Sequence, residues 1–336
     1  MKFGLVLSTL FPKDMPVQQK IQDTVEQVRV AREAGFDCVT VSHHYLSTPY
    51  RMLQLVPLIA RLIPELGQMS IASNIFLLTI HNPVYVAEVS ATLDALADGR
   101  FIFGVGLGYR DVEFEAFGVP MKTRAERFEE MLEVLHRLWS EDDVTYRGRH
   151  VAVDRATASI KPVQVPHPPV WIAASGDRAV ARAARLGDAW LINPHTSLDT
   201  LRKQVETYRE ALSGAGRPLP ADRPIFRECF VGRDYETAAA AAGPYIEGKY
   251  QSYASWGLDR PMAADESLRG SFRDLESGRF ILGSPEDCLN VIKSYEEQLG
   301  VNYFLLRFQW PGMEHRKVLS ALELAGKHLI PMARRP

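Results

Sequence analysis

Short runs rich in β-branched and aromatic residues alternate with longer stretches whose apolar positions recur every three or four residues, almost from one end of the chain to the other. The first pattern is that of strands buried on both faces, the second that of helices with one apolar side. Strands are predicted near 2–8, 38–42, 69–76, 101–105, 170–173, 188–192, 224–231 and 302–308. Helices are predicted near 17–34, 51–65, 83–97, 122–139, 176–186, 197–213, 235–255 and 314–329. Alternating β and α units imply a parallel sheet with crossover helices. Eight of them favour closure into an α/β (β/α)8 TIM barrel over a doubly wound open sheet. With 336 residues the chain exceeds the ~250 of a typical barrel by about 86. The excess is assigned to insertions at about 140–168 and 232–284, within one domain spanning 1–336 and lacking a repeat or linker.

One predicted helix breaks the amphipathic rule. Residues 52–63 (MLQLVPLIARLI) are apolar nearly all round, whereas an outer barrel helix needs only one apolar face. A second covering surface is expected, so this helix is read as a subunit interface and the protein as a homodimer.

Composition then removes several function classes. Lys and Arg number 39 against 41 Asp and Glu, a net charge of −2, which gives no electrostatic reason to bind nucleic acid or an anionic membrane. No apolar run reaches the ~18 residues of a spanning helix. The first residues read as a strand and not as a signal peptide. Cys38, Cys229 and Cys288 are too few and too scattered for a disulfide framework or a zinc site. A cytoplasmic enzyme without a metal, acting on a small molecule, is the expectation.

In a barrel of this kind, chemistry sits at the C-terminal ends of the strands. The second strand ends in Ser42-His43-His44-Tyr45. Strand alternation lets one of the two histidines face the mouth, where it is a candidate general acid/base. Ser73 and Asn74 put polar groups in a buried third strand; they either pair with the next strand or offer a hydrogen-bonding edge to a heteroaromatic ligand. Gly104, Gly106 and Gly108, just before Tyr109, permit close approach by a flat ligand or make a tight strand exit. Asp111, Glu113 and Glu115 follow, with nothing in the sequence marking them as an acid/base pair. Ser175-Gly176-Asp177-Arg178 opens a helix and reads as a phosphate-binding turn or as an ordinary capped turn. Arg227, Glu228 and Arg307 are charges in barrel strands, so they form internal ion pairs or anchor a polar ligand group. Phe11, Phe76, Trp256 and Trp310, with Arg307, are the candidate substrate contacts.

Taken together, these pieces resemble the bacterial luciferase-like flavin-dependent monooxygenases and oxidoreductases. The resemblance rests on Ala34-Gly35-Phe36-Asp37 leading to His43-His44-Tyr45, Asn82-Pro83 with Ala87-Glu88, and Ala91-Thr92-Leu93-Asp94 before Gly99-Arg100-Phe101. It continues through Gly104-Val105-Gly106-Leu107-Gly108-Tyr109, Glu113-Phe114-Glu115-Ala116-Phe117-Gly118, Pro168-Pro169-Val170-Trp171 and Gly187-Asp188-Ala189-Trp190-Leu191.

The resemblance implies a flavin at the barrel mouth, with His44 as the active-site histidine. It places a non-proline cis peptide at Asn74–Ile75, and the flavin beside Asn74, Ile75, Gly106 and Tyr109. The cofactor phosphate falls at Ser175, Gly176, Asp177 and Arg178. Gly106 stands where some relatives carry a reactive cysteine. Leu107 replaces an arginine that holds the phosphate in many members, and Arg124 or Arg127 is placed to supply that charge. Ser42-His43 replaces an acidic residue before the histidine, so no adjacent carboxylate is expected to orient His44.

The function implied is oxygenation of a small organic substrate by dioxygen and reduced FMN supplied by a separate flavin reductase. A deazaflavin-dependent oxidoreductase moving hydride on the same scaffold is the alternative. A non-catalytic flavin-binding subunit is a third reading, against which the retained His44 speaks.

Overall fold

The computed structural model describes residues 1–260, 262 and 266–335. Eight parallel strands carry the architecture: β1 (Lys2–Leu7), β2 (Cys38–Val41), β3 (Ser70–Ser73), β4 (Phe101–Gly106), β5 (Val170–Ala174), β6 (Ala189–Ile192), β7 (Pro224–Val231) and β8 (Tyr303–Arg307). Each pairs with its sequence neighbour, and β8 returns to β1 with Lys2 opposite Tyr303, so the sheet closes into a (β/α)8 barrel. Alternation sorts the side chains. Val6, Cys38, Ile102, Trp171, Leu191, Phe226, Tyr303 and Leu305 fill the interior, while Phe3, Leu5, Val39 and Phe103 pack outward against helices. Gly4 is required by this filling, because a Cβ there would lie 2.5 Å from a Leu305 methyl.

The surrounding helices are α1 (Val17–Glu33), α2 (Leu55–Leu62), α3 (Pro83–Leu96), α4 (Asp111–Phe117), α5 (Arg124–Ser140), α6 (Asp177–Leu186), α7 (Leu198–Gly214), α8 (Tyr235–Ser255), α9 (Phe272–Glu276), α10 (Pro285–Leu299) and α11 (His315–Leu324). Several begin as their sequences dictate. Asn82 caps α3 through its side chain before Pro83, and Ser284 with Asp287 forms a capping box ahead of α10.

Two elements depart from the sequence reading, and the insertion at 140–168 follows it. The helix expected over 51–65 starts at Leu55, because Arg51–Met52 pairs antiparallel with Leu10–Phe11. Its inner face (Leu55, Leu58, Ile59, Leu62) is buried, while Val56, Ala60 and Ile63 stay partly exposed. Within 140–168 a hairpin forms from Val144–Arg147 and Ala152–Ala156. Within 232–284 a strand at Phe280–Gly283 pairs with the outer half of β7, from Glu228 to Val231. The helix that follows it, α10, packs beside α7 on the outside, which leaves α8 to cover the mouth. Among the described residues no helix is long and apolar enough to cross a membrane.

Candidate active site

A cleft of about 1230 Å³, space open to solvent included, lies at the C-terminal end of the barrel. Its walls come from strand ends and the loops after them: Ser42, His43 and His44 after β2, Asn74 and Ile75 after β3, Gly106 to Tyr109 after β4, Ser175 and Gly176 after β5, Asn193 to His195 after β6, Phe226 on β7 and Arg307 on β8. Tyr253 and Leu258 close it from the side of α8.

Both histidines line the cleft, contrary to the alternation argument, because β2 ends at Val41 and regular pleating no longer applies beyond it. They differ in surroundings. His43 is buried against Tyr45 and Phe76. Burial, reinforced by His44 and His81, pushes its imidazole down to about 3, so it is neutral. Neither of its ring nitrogens has a hydrogen-bond partner.

His44 is held on every side. Its Nδ1 lies 3.1 Å from Glu113 Oε1, which also accepts from the Tyr45 backbone N–H at 2.8 Å. A carboxylate oxygen accepting on that side places the proton on Nδ1 and leaves the Nε2 lone pair facing the Tyr109 hydroxyl, 3.4 Å away, and the cleft. Burial raises the Tyr109 hydroxyl well above its ordinary value, so that group stays protonated. Trp256 meets the His44 ring edge-on at 5.8 Å, stacks on Tyr253 and carries the Arg110 guanidinium over its face at 4.2 Å. Glu113 therefore does what the sequence reading assigned to no residue: it orients His44 from the first turn of α4. The carboxylate that the sequence lacks before the histidine arrives 69 positions later.

The third strand's polar groups and the glycines beside them all have protein neighbours. Ser73 Oγ donates to Gly104 O at 2.8 Å, and Asn74 Nδ2 donates to Thr40 Oγ1 at 3.2 Å, so both find protein partners while Asn74 still borders the cleft. The Asn74–Ile75 peptide is cis. The glycines of β4 answer first to the protein: a Cβ on Gly104 would fall 1.9 Å from Ser73 O, and one on Gly106 would fall 2.0 Å from Ile75 Cδ1.

Of the two arginines offered as replacements for the missing charge at Leu107, only Arg124 lines the cleft. Arg127 is spent on the backbone carbonyls of Thr79, His81 and His150. Ser175 and Gly176 border the cleft, and Gly176 is the N-cap of α6; Asp177 and Arg178 lie in the first turn of that helix, outside the lining.

The aromatic candidates separate. Trp256 stands beside His44. Phe76 is core, packed on His43, His81 and Phe103. Phe11 and Trp310 line a different cleft, of about 510 Å³, together with Lys20. Arg227 and Glu228 do not pair with each other, because neighbours on a strand face opposite ways. Arg227 donates to Asn193 O at 2.7 Å and Thr196 O at 3.2 Å. Glu228 accepts from Lys249 Nζ at 2.7 Å and from the Trp310 indole at 2.8 Å. Lys249 also meets His195 Nε2 at 2.9 Å. Burial, opposed by Glu228, brings the Lys249 ammonium down to about 8. Burial and the Lys249 charge hold His195 well below its ordinary value. Lys249, Tyr253 and Trp256 share one helical face by their spacing, a signal that was present in the sequence.

Partnerless ring nitrogens on His43, in a mostly apolar mouth, are what a flat, polar-edged heteroaromatic group would meet. The lining thus fits a flavin-type ring, with Arg124 and the start of α6 available for a phosphate.

Comparison with known proteins agrees. The family model described as luciferase-like monooxygenase matches residues 1–302. The F420-dependent glucose-6-phosphate dehydrogenase of Amycolatopsis mediterranei (strain U-32) is 27% identical over 320 residues, 89% of this chain and 91% of that protein. Of the phthiodiolone/phenolphthiodiolone dimycocerosates ketoreductase of Mycobacterium tuberculosis (strain ATCC 25618 / H37Rv), 28% identical over 195 residues (55% of this chain), the match spans about half the length, 51%. The monooxygenase RslO1 from Streptomyces bottropensis has the same fold, with a TM-score of 0.85 and 24% identity over 99% of both chains. So does the oxygenating constituent of 3,6-diketocamphane monooxygenase from Pseudomonas putida, solved with FMN, at 0.80 and 17% over 100% of this chain and 99% of that one. A closed barrel with a histidine-flanked mouth, and a family model matching the chain from its first residue to 302, make this protein an enzyme of the luciferase-like monooxygenase family.

Proposed function

We propose that the cleft binds reduced FMN, delivered by a separate flavin reductase, and that the enzyme uses dioxygen to oxygenate a small organic substrate. The observation that carries this reading is His44: clamped by Glu113, with Nε2 turned to a cleft that ends at Arg124 and the Ser175–Gly176 turn. When bound, the cofactor supplies the reducing electrons and the site of dioxygen activation. The chain's residues do the rest. Ile75, Leu77, Leu107, Ala173 and Leu191 keep the ring's surroundings dry. Arg124 and the free first-turn N–H groups of α6 hold the phosphate. His44 Nε2 exchanges a proton with the substrate, and Glu113 stabilises the imidazolium that results.

A second reading, hydride transfer with a deazaflavin, is supported by the nearly full-length relationship to a protein named as F420-dependent; His44 and Arg124 would keep their parts. Anaerobic titration with each reduced cofactor, followed by protein fluorescence, separates the two. Saturable binding of FMN is expected. Tight deazaflavin binding without FMN affinity would transfer the assignment to the second reading, and binding of neither would end both.

A further inference from the structure

The cleft is lined by two arginines and, among the described residues, by no carboxylate. Arg124, the first residue of α5, lines the cleft together with the Ser175–Gly176 turn. Arg307 lies across the barrel on β8, and its position is unusual for a cation. It is 5% exposed, and its Nε has no hydrogen-bond partner. The carboxylate facing it, Glu228, is 3.9 Å away and already accepts from Lys249 and Trp310. Its guanidinium rests over the Phe226 ring at 4.8 Å. Keeping a buried, under-compensated charge at the floor of a cleft destabilises the fold unless something else meets it.

We infer that Arg307 receives an acidic group of the substrate, carboxylate or phosphate, and that the substrate is therefore an organic acid whose apolar body lies along Phe226 and Tyr253. This rests on the reading that Arg124, not Arg307, takes the cofactor's phosphate. A planar guanidinium with unused donors matches either acid bidentately. Lys249 cannot substitute, since it is enclosed between Glu228 and His195. His195, neutral and at the same wall, adds a hydrogen bond without adding charge.

The test is calorimetric binding of phenylacetate, phenyl phosphate and uncharged phenylacetamide to the full-length protein, with and without FMN. The acids are expected to bind at least about tenfold more tightly than the amide, and Arg307→Met to weaken them by about 10–100-fold, the worth of a charged hydrogen bond. Amide and FMN affinities should not move. Arg307→Met removes a charge that Glu228 compensates only in part, and Glu228 keeps Lys249 as its partner, so it should unfold no earlier than the parent; Arg307→Lys, which keeps the charge, serves as the second variant and should retain part of the acid affinity. Equal binding of amide and acids, or unchanged acid affinity in Arg307→Met, would overturn the inference. So would loss of acid binding in Arg124→Ala instead. If FMN fails to bind while acid affinity still depends on Arg307, the flavin reading falls and this one stands.

Discussion

Replacing Glu228 by Gln probes the charge balance that supports the mouth of the barrel. Glu228 is fully buried and is the acceptor for Lys249 Nζ at 2.7 Å and the Trp310 indole at 2.8 Å, with Arg307 at 3.9 Å. The substitution keeps the shape and removes the only negative charge facing two buried cations among the described residues. Breaking a buried pair from one side costs about 3–5 kcal/mol. Lys249 has a partial escape, because it can lose its proton. In the parent its folded pKa is about 8, below the ordinary 10.5. Without Glu228, whose charge raises it, that value drops further. Between the folded and unfolded values the unfolded chain binds more protons than the native one, so stability rises with pH, at up to about 1.4 kcal/mol per unit. The rise starts near pH 8 in the parent and lower in Glu228→Gln. The penalty should therefore be largest at pH 6, shrink towards pH 8, and stay constant above it. Urea unfolding followed by tryptophan fluorescence at pH 6, 7, 8 and 9 measures this. A penalty below about 1 kcal/mol at pH 6, or one independent of pH, would refute the account of Lys249 and Arg307 as cations dependent on Glu228.

Three further outcomes follow from the site. Arg124→Ala should weaken FMN by about 10–100-fold, as expected for a lost charge-assisted hydrogen bond, while riboflavin, which has no phosphate, binds as before; equal losses for both would separate Arg124 from the phosphate. Gly106→Ala puts a methyl 2.0 Å from Ile75 Cδ1, which turns Ile75 into the cleft and should weaken flavin binding about tenfold, at an overpacking cost of ~1–3 kcal/mol; adding Ile75→Ala should restore it, and failure of that rescue would mean the methyl acts elsewhere. Glu113→Gln should shift His44 from an Nδ1–H tautomer towards a mixture, read by long-range proton–nitrogen NMR, and an unchanged tautomer would show that Glu113 does not set it.

The barrel was legible because its strands are buried on both faces and read as short apolar runs between amphipathic helices. The same logic put His44, Asn74, Ser175 and Arg307 near the mouth, since strand ends gather there. Partnerships were not legible. Glu113 looked like any acidic residue in a helix's first turn, and only the closed fold brings it to His44. Lys249 sat among alanines and tyrosines in a helix whose outer or mouth-covering position the pattern could not decide. Arg227 and Glu228 invited pairing by adjacency, which strand geometry forbids. The strand at Phe280–Gly283 was hidden inside an apparent insertion because it is four residues long and pairs only with the overhang of β7. Phe11, Phe76 and Trp310 have the chemistry of a ligand wall, and nothing in sequence spacing tells wall from core.

A crystal grown with FMN tests the central claim most directly. The account predicts density for the three-ringed group against Asn74–Ile75 and Gly106, one edge within hydrogen-bonding reach of His44 or His43, and the phosphate at Arg124 and Ser175–Gly176. A mouth that stays empty at saturating FMN, or a flavin bound away from His44, would contradict it.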